Sequence, residues 1–101
     1  MKVVVCDDDR GFCQKESVTI KKVFEQYFEG EDCQIDVYFE GSKLLQAYPD
    51  NMYDMIFLDL ELEDEDGFDI AEKLILLNKN AIIIFVTSHD NLVYEAFQFR
   101  P

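Results

Sequence analysis

Two apolar runs that end in aspartate decide how this chain folds: Val3-Val4-Val5-Cys6-Asp7-Asp8-Asp9 near the start, and Ile56-Phe57-Leu58-Asp59-Leu60-Glu61 in the middle. Short, continuous apolar runs of this kind are typical of strands that are buried on both faces of a parallel sheet. In open sheets of this type, sites form beyond the carboxyl ends of the strands. The two runs therefore predict two strands that deliver aspartates to one edge of a sheet.

Two further strands are predicted. Residues 34–39 alternate polar and apolar side chains, which indicates a half-buried strand. Residues 81–86 form a continuous apolar run that ends at Thr87-Ser88. Four strands are therefore expected, and three of them end in polar residues capable of chemistry.

A helix is predicted after each strand, because apolar residues recur there at steps of three and four. The first begins after Asp9, which can cap it, and ends at Gly30, while Pro49-Asp50-Asn51 is expected to stop the second and Asp90-Asn91 to start the last. The predicted apolar faces are Phe12, Ile20, Val23, Phe24, Tyr27 and Phe28 in the first helix, and Phe68, Ile70, Ala71, Leu74, Ile75 and Leu77 in the third. Alternating strands and helices predict an α/β fold with an open, doubly wound parallel sheet.

Composition limits the function. A chain of 101 residues suits one domain, and nine Phe and five Tyr among periodic apolar runs indicate a folded core. The net charge of -13 argues against nucleic acid as a direct partner of this segment and favours a cation or a partner with a basic face. We expect a reduced, cytoplasmic protein that does not enter a membrane, because no apolar run approaches the ~18 residues of a span and no secretory leader is evident. The cysteines, Cys6, Cys13 and Cys33, lack metal-ligand spacing and are interpreted as packing residues.

The polar groups at the strand ends point to phosphoryl chemistry. If the first, third and fourth strands are neighbours, then Asp7, Asp8, Asp59 and Thr87 converge at one edge of the sheet. Carboxylates packed together repel one another, and a divalent cation removes that cost. A few hard oxygen ligands suit Mg²⁺, and a carboxylate beside Mg²⁺ can attack phosphorus. The pattern therefore predicts a Mg²⁺-dependent phosphoryl site.

Three other motif interpretations are weaker. An EF-hand that places Asp64 and Asp66 at ligand positions would put Leu62 at the first position and Lys73 at the last, so the loop fails the motif. A P-loop nucleotidase needs a glycine-rich phosphate loop, which the sequence lacks. His89 is interpreted as a surface residue at a helix start rather than as a catalytic base.

The chain resembles the receiver domain of two-component response regulators over essentially its whole length. The resemblance rests on the two runs quoted above and on Asp66-Gly67 and Ile84-Phe85-Val86-Thr87-Ser88, in matching order and strand context. It implies a flavodoxin-like fold, a sensor histidine kinase as phosphoryl donor, and an output domain that responds to the modification. Beyond its own phosphotransfer and dephosphorylation, such a domain is not expected to be an enzyme.

Roles follow from the resemblance, residue by residue. Asp59 would accept the phosphoryl group and would also be a Mg²⁺ ligand. Asp8 would bind Mg²⁺ directly, Asp7 would assist through water, and the backbone carbonyl of Glu61 would be a further ligand. Thr87 would be the switch hydroxyl that bonds a phosphoryl oxygen.

The sequence also resembles one subfamily. Cys6 before the acidic run, and Tyr94-Glu95-Ala96-Phe97 leading to Arg100-Pro101, are similar to regulators with a LytTR-type DNA-binding domain. In such a regulator the second domain would bind DNA.

Two departures from the family pattern stand out. The usual proline after the phosphoacceptor is replaced within Leu62-Glu63-Asp64-Glu65, so this loop is expected to be more mobile and more negative than usual. The family's fifth strand, fifth helix and site lysine are missing, and Lys73 and Lys79 lie on the wrong side of strand four to substitute. Residues 1–101 are therefore expected to form a receiver domain incomplete at its C-terminus, with four strands and four helices. Its exposed sheet edge or last helix could support a dimer.

Two alternative functions remain open. A phosphatase of the haloacid dehalogenase type would use Asp7 as nucleophile, with Asp9 as the second acid and Arg10-Gly11 following. No cap domain or later acidic motif fits that class. The other alternative is a pseudo-receiver, which keeps the fold as an interaction module without phosphorylation; the presence of Asp8, Asp59 and Thr87 argues against it.

Overall fold

The computed structural model describes residues 1–28, 30 and 32–86. Strands and helices alternate within these residues, as predicted. The elements are β1 (Lys2–Cys6), α1 (Arg10–Tyr27), β2 (Gln34–Tyr38), α2 (Gly41–Asn51), β3 (Met55–Asp59), α3 (Gly67–Leu77) and β4 (Ile82–Val86). The predicted last helix, beginning at Asp90-Asn91, lies outside the described residues.

The four strands form one parallel sheet in the order β2-β1-β3-β4. In its register, Val5 lies opposite Phe57, and Phe57 lies opposite Ile84. The strands therefore run level and end at the same edge. This confirms the doubly wound parallel sheet and the condition on which the predicted site depended, that strands one, three and four are neighbours.

The core lies in two layers, one on each face of the sheet, because side chains alternate along each strand. In β1, Val4 and Cys6 face one layer while Val3 and Val5 face the other. The first layer packs against α2 and α3 and the second against α1. None of the helices in the described ranges combines the length and the apolar character that a bilayer span needs.

The apolar face of α1 is narrower than predicted. Its buried residues are Cys13, Ile20 and Phe24, which follow one another at steps of seven and four. The prediction was wrong for Val23, Tyr27 and Phe28, which are 42%, 69% and 50% exposed. In α3, the predicted face is likewise too wide, because Phe68 and Leu77 are exposed. Periodicity shows which side of a helix is apolar, but the sheet covers only the stripe directly facing it.

The second helix includes Pro49 and ends at Asn51, within the Pro49-Asp50-Asn51 segment that was predicted to stop it. Proline in a helix removes one backbone hydrogen bond and favours a break. Here the helix is capped by Met52, which has a left-handed φ of 42° and donates its N–H to Tyr48 O at 2.8 Å. The Asn51 side chain donates to Ala47 O at 2.8 Å. These bonds stabilise the last turn of the helix, which contains Pro49.

Tyr48 provides a test of the core beneath α2. Its ring is fully buried, and its hydroxyl donates to Tyr53 O at 2.6 Å and accepts from Asn78 Nδ2 at 3.2 Å. Tyr48→Phe should lower the free energy of unfolding by about 1–3 kcal/mol, because it leaves the Tyr53 carbonyl without that donor in the core. Urea denaturation measures the change. Tyr27→Phe, at an exposed ring, should stay within about 0.5 kcal/mol of wild type; equal losses in both variants would contradict this account of the Tyr48 hydroxyl.

Candidate metal centre

Three carboxylates meet at the carboxyl edge of the sheet. Asp7 follows β1 directly, Asp8 is its neighbour, and Asp59 is the last residue of β3. Each offers one oxygen, and these oxygens lie within 4.8 Å of one another. The strand register causes this proximity, because Cys6 and Leu58, the residues just before Asp7 and Asp59, are paired across the two strands. The predicted convergence of the two aspartate-ended runs is thus present.

Backbone N–H groups orient each of the three side chains. Asp7 Oδ1 accepts from the N–H of Asp9 at 2.9 Å, and Asp59 Oδ1 accepts from the N–H of Glu61 at 3.1 Å. Asp8 Oδ2 accepts from the N–H of Glu63 at 2.9 Å. The loops after β1 and β3 therefore hold the carboxylates in fixed directions, as a site that binds a small cation requires.

Burial makes this cluster costly without a cation. Asp7 is 2% exposed and Asp59 is 3% exposed, whereas Asp8 is open to solvent. Burial above all, together with the charges of Asp59 and Asp8, raises the pKa of Asp7 to about 7, although the hydrogen bond from the Asp9 N–H acts to lower it. The buried Asp7 Oδ2 has no hydrogen-bond partner among the described residues. An unpaired buried oxygen beside two further hard oxygen donors fits Mg²⁺ or one of its waters.

Glu16 is an acidic residue near this site that the sequence reasoning missed. It lies on α1, three residues after Cys13 and four before Ile20, on the side of the helix that faces the sheet. Burial and then the charge of Asp59 raise its pKa to about 7. Its Oε2 is buried and has no hydrogen-bond partner among the described residues. A lone acid on an otherwise apolar helix stripe was the signal for it in the sequence.

The other predicted residues have mixed outcomes. Glu61 lies two residues beyond Asp59, and its N–H bond to the Asp59 carboxylate places its backbone beside the cluster; its role as a carbonyl ligand stays a prediction. Asp9 caps α1 as predicted, with its Oδ1 accepting from Phe12 N at 3.1 Å. Thr87, the predicted switch hydroxyl, and His89 lie outside the described residues.

Fold and site together define a class: flavodoxin-like α/β domains with an acidic cluster at the ends of the central strands. The family model of the response regulator receiver domain matches residues 3–99, and the chain belongs to that family. This confirms the resemblance noted in the sequence.

Individual relatives agree with the family. The transcriptional regulatory protein LytR of Staphylococcus aureus (strain N315) is 30% identical over 102 residues, which cover 99% of this chain and 38% of that protein. The chain thus spans less than half of the length of this relative. A two-component response regulator from Clostridium difficile has a TM-score of 0.72 and 23% identity, covering 91% of this chain and 69% of that one. A response regulator from Burkholderia pseudomallei, solved with a phosphorylated aspartic acid, calcium ion and citrate, has a TM-score of 0.70 and 18% identity, covering 90% of this chain and 49% of that one.

The cluster should make stability depend on pH in metal-free buffer. The pKa of Asp7 is about 7 in the folded state and about 3.9 in an unfolded chain. Between these values the folded state binds more protons, so the free energy of unfolding contributed by Asp7 falls as pH rises. From pH 5 to pH 8, the free energy of unfolding should therefore fall less in Asp7→Asn than in wild type, by a margin of more than about 1 kcal/mol.

Urea denaturation with a chelator present, at pH 5 and pH 8, measures this difference. Asp50→Asn, at an exposed position in α2, is the matched control and should keep the wild-type difference. An Asp7→Asn variant as sensitive to pH as wild type would show that the cluster does not strain the fold.

Gly67 sets how closely α3 approaches the end of β3. A Cβ there would lie 2.5 Å from Asp59 O and 2.9 Å from Leu60 O, too close for any other residue without a backbone shift. Gly67→Ala should destabilise the domain by about 1–3 kcal/mol. Gly11→Ala is the matched control, because its nearest contact would be 3.5 Å away, and it should be neutral or stabilising by about 0.4–1 kcal/mol. Thermal unfolding of both variants checks the contrast, and a harmless Gly67→Ala would contradict it.

Proposed function

We propose that this domain is a phosphorylation-controlled switch in which Asp59 accepts a phosphoryl group from a sensor histidine kinase, with Mg²⁺ bound. The observation that carries the proposal is the convergence of Asp7, Asp8 and Asp59 within 4.8 Å at the end of the sheet. Membership of the receiver family supports it. The Burkholderia response regulator, described as carrying a phosphorylated aspartic acid and a calcium ion, is consistent with an aspartate as acceptor and with a bound cation.

Asp59 is the proposed nucleophile because of its position. It ends the central strand β3, is almost fully buried, and has one oxygen held by the Glu61 N–H. An Asp59 oxygen would form the new bond to phosphorus while the phosphorus–nitrogen bond to the donor histidine breaks and the imidazole leaves. Asp8 and Asp59 would hold Mg²⁺, with Asp7 assisting through water. The ion, when bound, would reduce the repulsion between the carboxylates and the anionic donor. The Glu61 carbonyl would complete the protein ligands.

The response would pass through Thr87 to an output domain. Thr87 is proposed to form a hydrogen bond to a phosphoryl oxygen. This bond would shift the equilibrium between two arrangements of the predicted last helix and its neighbouring surface. The relative LytR is described as a transcriptional regulatory protein, which supports a DNA-binding output domain here. The receiver itself, with a net charge of -13, is proposed to bind no nucleic acid and to act in the cytoplasm. Dimerisation through the sheet edge or the last helix stays a prediction.

The two alternative functions differ from this proposal in one feature each: the phosphatase would use another nucleophile, and the pseudo-receiver would not be phosphorylated. A dehalogenase-type phosphatase needs Asp7 as nucleophile and Asp9 as acid, but the Asp9 carboxylate caps α1 and its N–H binds Asp7. The structure therefore favours Asp59. A pseudo-receiver would keep this fold and bind no phosphoryl group.

Thermal unfolding against Mg²⁺ concentration tests the metal site first. Wild type should gain about 2.7 kcal/mol of stability at one hundred times the dissociation constant. Asp8→Asn and Asp59→Asn should lose most of that gain, and Asp50→Asn should keep it. No gain in wild type, or an undiminished gain in both site variants, would refute the metal site.

Intact-mass measurement after incubation with a small phosphodonor and Mg²⁺ identifies the acceptor. One phosphoryl group should be added to wild type and none to Asp59→Asn. An adduct retained in Asp59→Asn and lost in Asp7→Asn would support the dehalogenase alternative. No adduct in wild type despite Mg²⁺ binding would support the pseudo-receiver alternative.

A further inference from the structure

The N-terminus of α2 is capped from a distant part of the chain. The first N–H groups of a helix lack partners within the helix, and a nearby side chain usually accepts from them. At α2 the preceding residue, Glu40, makes no such bond. Instead, Gly41 N donates to Glu65 Oε1 at 2.7 Å and Ser42 N donates to Glu65 Oε2 at 2.8 Å. One carboxylate, more than twenty residues away in sequence, thus binds two helix N–H groups.

Glu65 belongs to the loop that is hydrogen-bonded to Asp8 of the acidic site. Residues 60–66 connect β3 to α3, and residues 61–66 form the acidic part of this connection, the 61–66 loop. The N–H of Glu63 in this loop donates to Asp8 Oδ2 at 2.9 Å. Between the two attachments the chain turns tightly, with Asp64 at a φ of 60° and Glu65 N donating to Leu62 O at 3.2 Å. The anchor on α2 and the bond to Asp8 therefore lie only two residues apart.

Packing holds the same two segments together. Leu62 is buried in the core layer shared by α2 and α3. A Cβ on Gly41 would lie 2.7 Å from Ile70 Cδ1 and 3.3 Å from Leu62 Cδ1, so the backbone of α2 meets these side chains directly. A movement of the loop away from Asp8 would therefore have to break both the Glu65 bonds and this contact.

Charge makes such an anchor necessary. The loop lies beside the three carboxylates of the site and carries five acidic residues of its own: Glu61, Glu63, Asp64, Glu65 and Asp66. Repulsion favours an arrangement in which the loop moves away from the site. Helix N-termini carry partial positive charge and stabilise carboxylates. Two of the five acids lie at such ends, Glu65 on α2 and Asp66, which accepts from Phe68 N at 2.9 Å, on α3.

We propose that Glu65 is a positioning residue for the acidic site: by binding the N-terminus of α2, its carboxylate keeps the 61–66 loop in place and the Glu63 N–H on Asp8. The side chain of Glu65 need not touch the metal, since it acts through Glu63 and Asp8. The part that concerns Mg²⁺ rests on the proposed function, whereas the part that concerns the loop does not.

Amide hydrogen exchange in metal-free buffer tests the loop. In Glu65→Ala, the amides of Gly41, Ser42 and Glu63 should all exchange roughly tenfold faster or more, because both charge-assisted bonds are lost. Glu65→Gln keeps one acceptor oxygen and should give a smaller increase at the same three amides. Asp64→Asn is the control, because it removes one charge from the same turn and asparagine tolerates positive φ; it should leave them near wild-type rates.

The pattern of exchange decides between positioning and simple capping. Faster exchange at Gly41 and Ser42 with an unchanged Glu63 amide would overturn the proposal, because Glu65 would then only cap α2. Unchanged exchange at all three amides would overturn it as well. An equal increase in Asp64→Asn would assign the effect to loop charge and would also count against Glu65.

Titration with MgCl₂ tests the consequence at the site. The dissociation constant should rise severalfold in Glu65→Gln, and by more than in Asp64→Asn. Asn51→Ala removes the bond to Ala47 O at the opposite end of α2 and serves as the control for general destabilisation. Asn51→Ala should lower the melting temperature without changing the dissociation constant for Mg²⁺. If that dissociation constant rose equally in Asn51→Ala and Glu65→Gln, the proposal would be overturned. If wild type binds no Mg²⁺, the proposed function fails, and the exchange at Glu63 alone decides the role of Glu65.

Discussion

The repulsion between three carboxylates confined within 4.8 Å is the constraint on which the surrounding structure depends. Two of them, Asp7 and Asp59, are almost completely buried, so water cannot screen the repulsion effectively. The level register of β1 and β3 brings them together, and the loops that follow each offset part of the cost with N–H groups aimed at the carboxylates. What the backbone leaves uncompensated, above all at Asp7 Oδ2, is the reason the site favours a cation.

The same constraint explains how the neighbouring helices begin. Asp9 caps α1, Glu65 caps α2 and Asp66 caps α3, so an acid next to the crowded edge lies at the N-terminus of each described helix. Helix N-termini stabilise negative charge, typically by about 0.3–1 kcal/mol at exposed positions. An edge so rich in acid is compatible with a stable fold because these helices direct their positive ends toward it.

Local pattern was sufficient to predict the strands and their parallel sheet. It also predicted the three aspartates, because β1 and β3 are apolar runs that lead directly into them. Asp9 was also predictable as a cap, since its partner lies three residues away. Glu65 was not, because its partners on α2 precede it by more than twenty residues and Glu40 occupied the expected position. The predicted apolar face of α1 was too wide for a related reason: contacts from other elements decide how much of a helix face is covered.

The loop after Asp59 shows what a missing local signal means. Its sequence lacks the proline that would stiffen it, from which mobility was expected, yet the structure ties it to Asp8 through Glu63 and to α2 through Glu65. Such ties act in both directions. If the anchor on α2 improves the binding of a cation at Asp8, then by thermodynamic linkage the cation must strengthen the anchor by the same free energy. An acidic loop held by two long-range contacts, rather than by its own stiffness, therefore connects the state of the metal site to the start of α2.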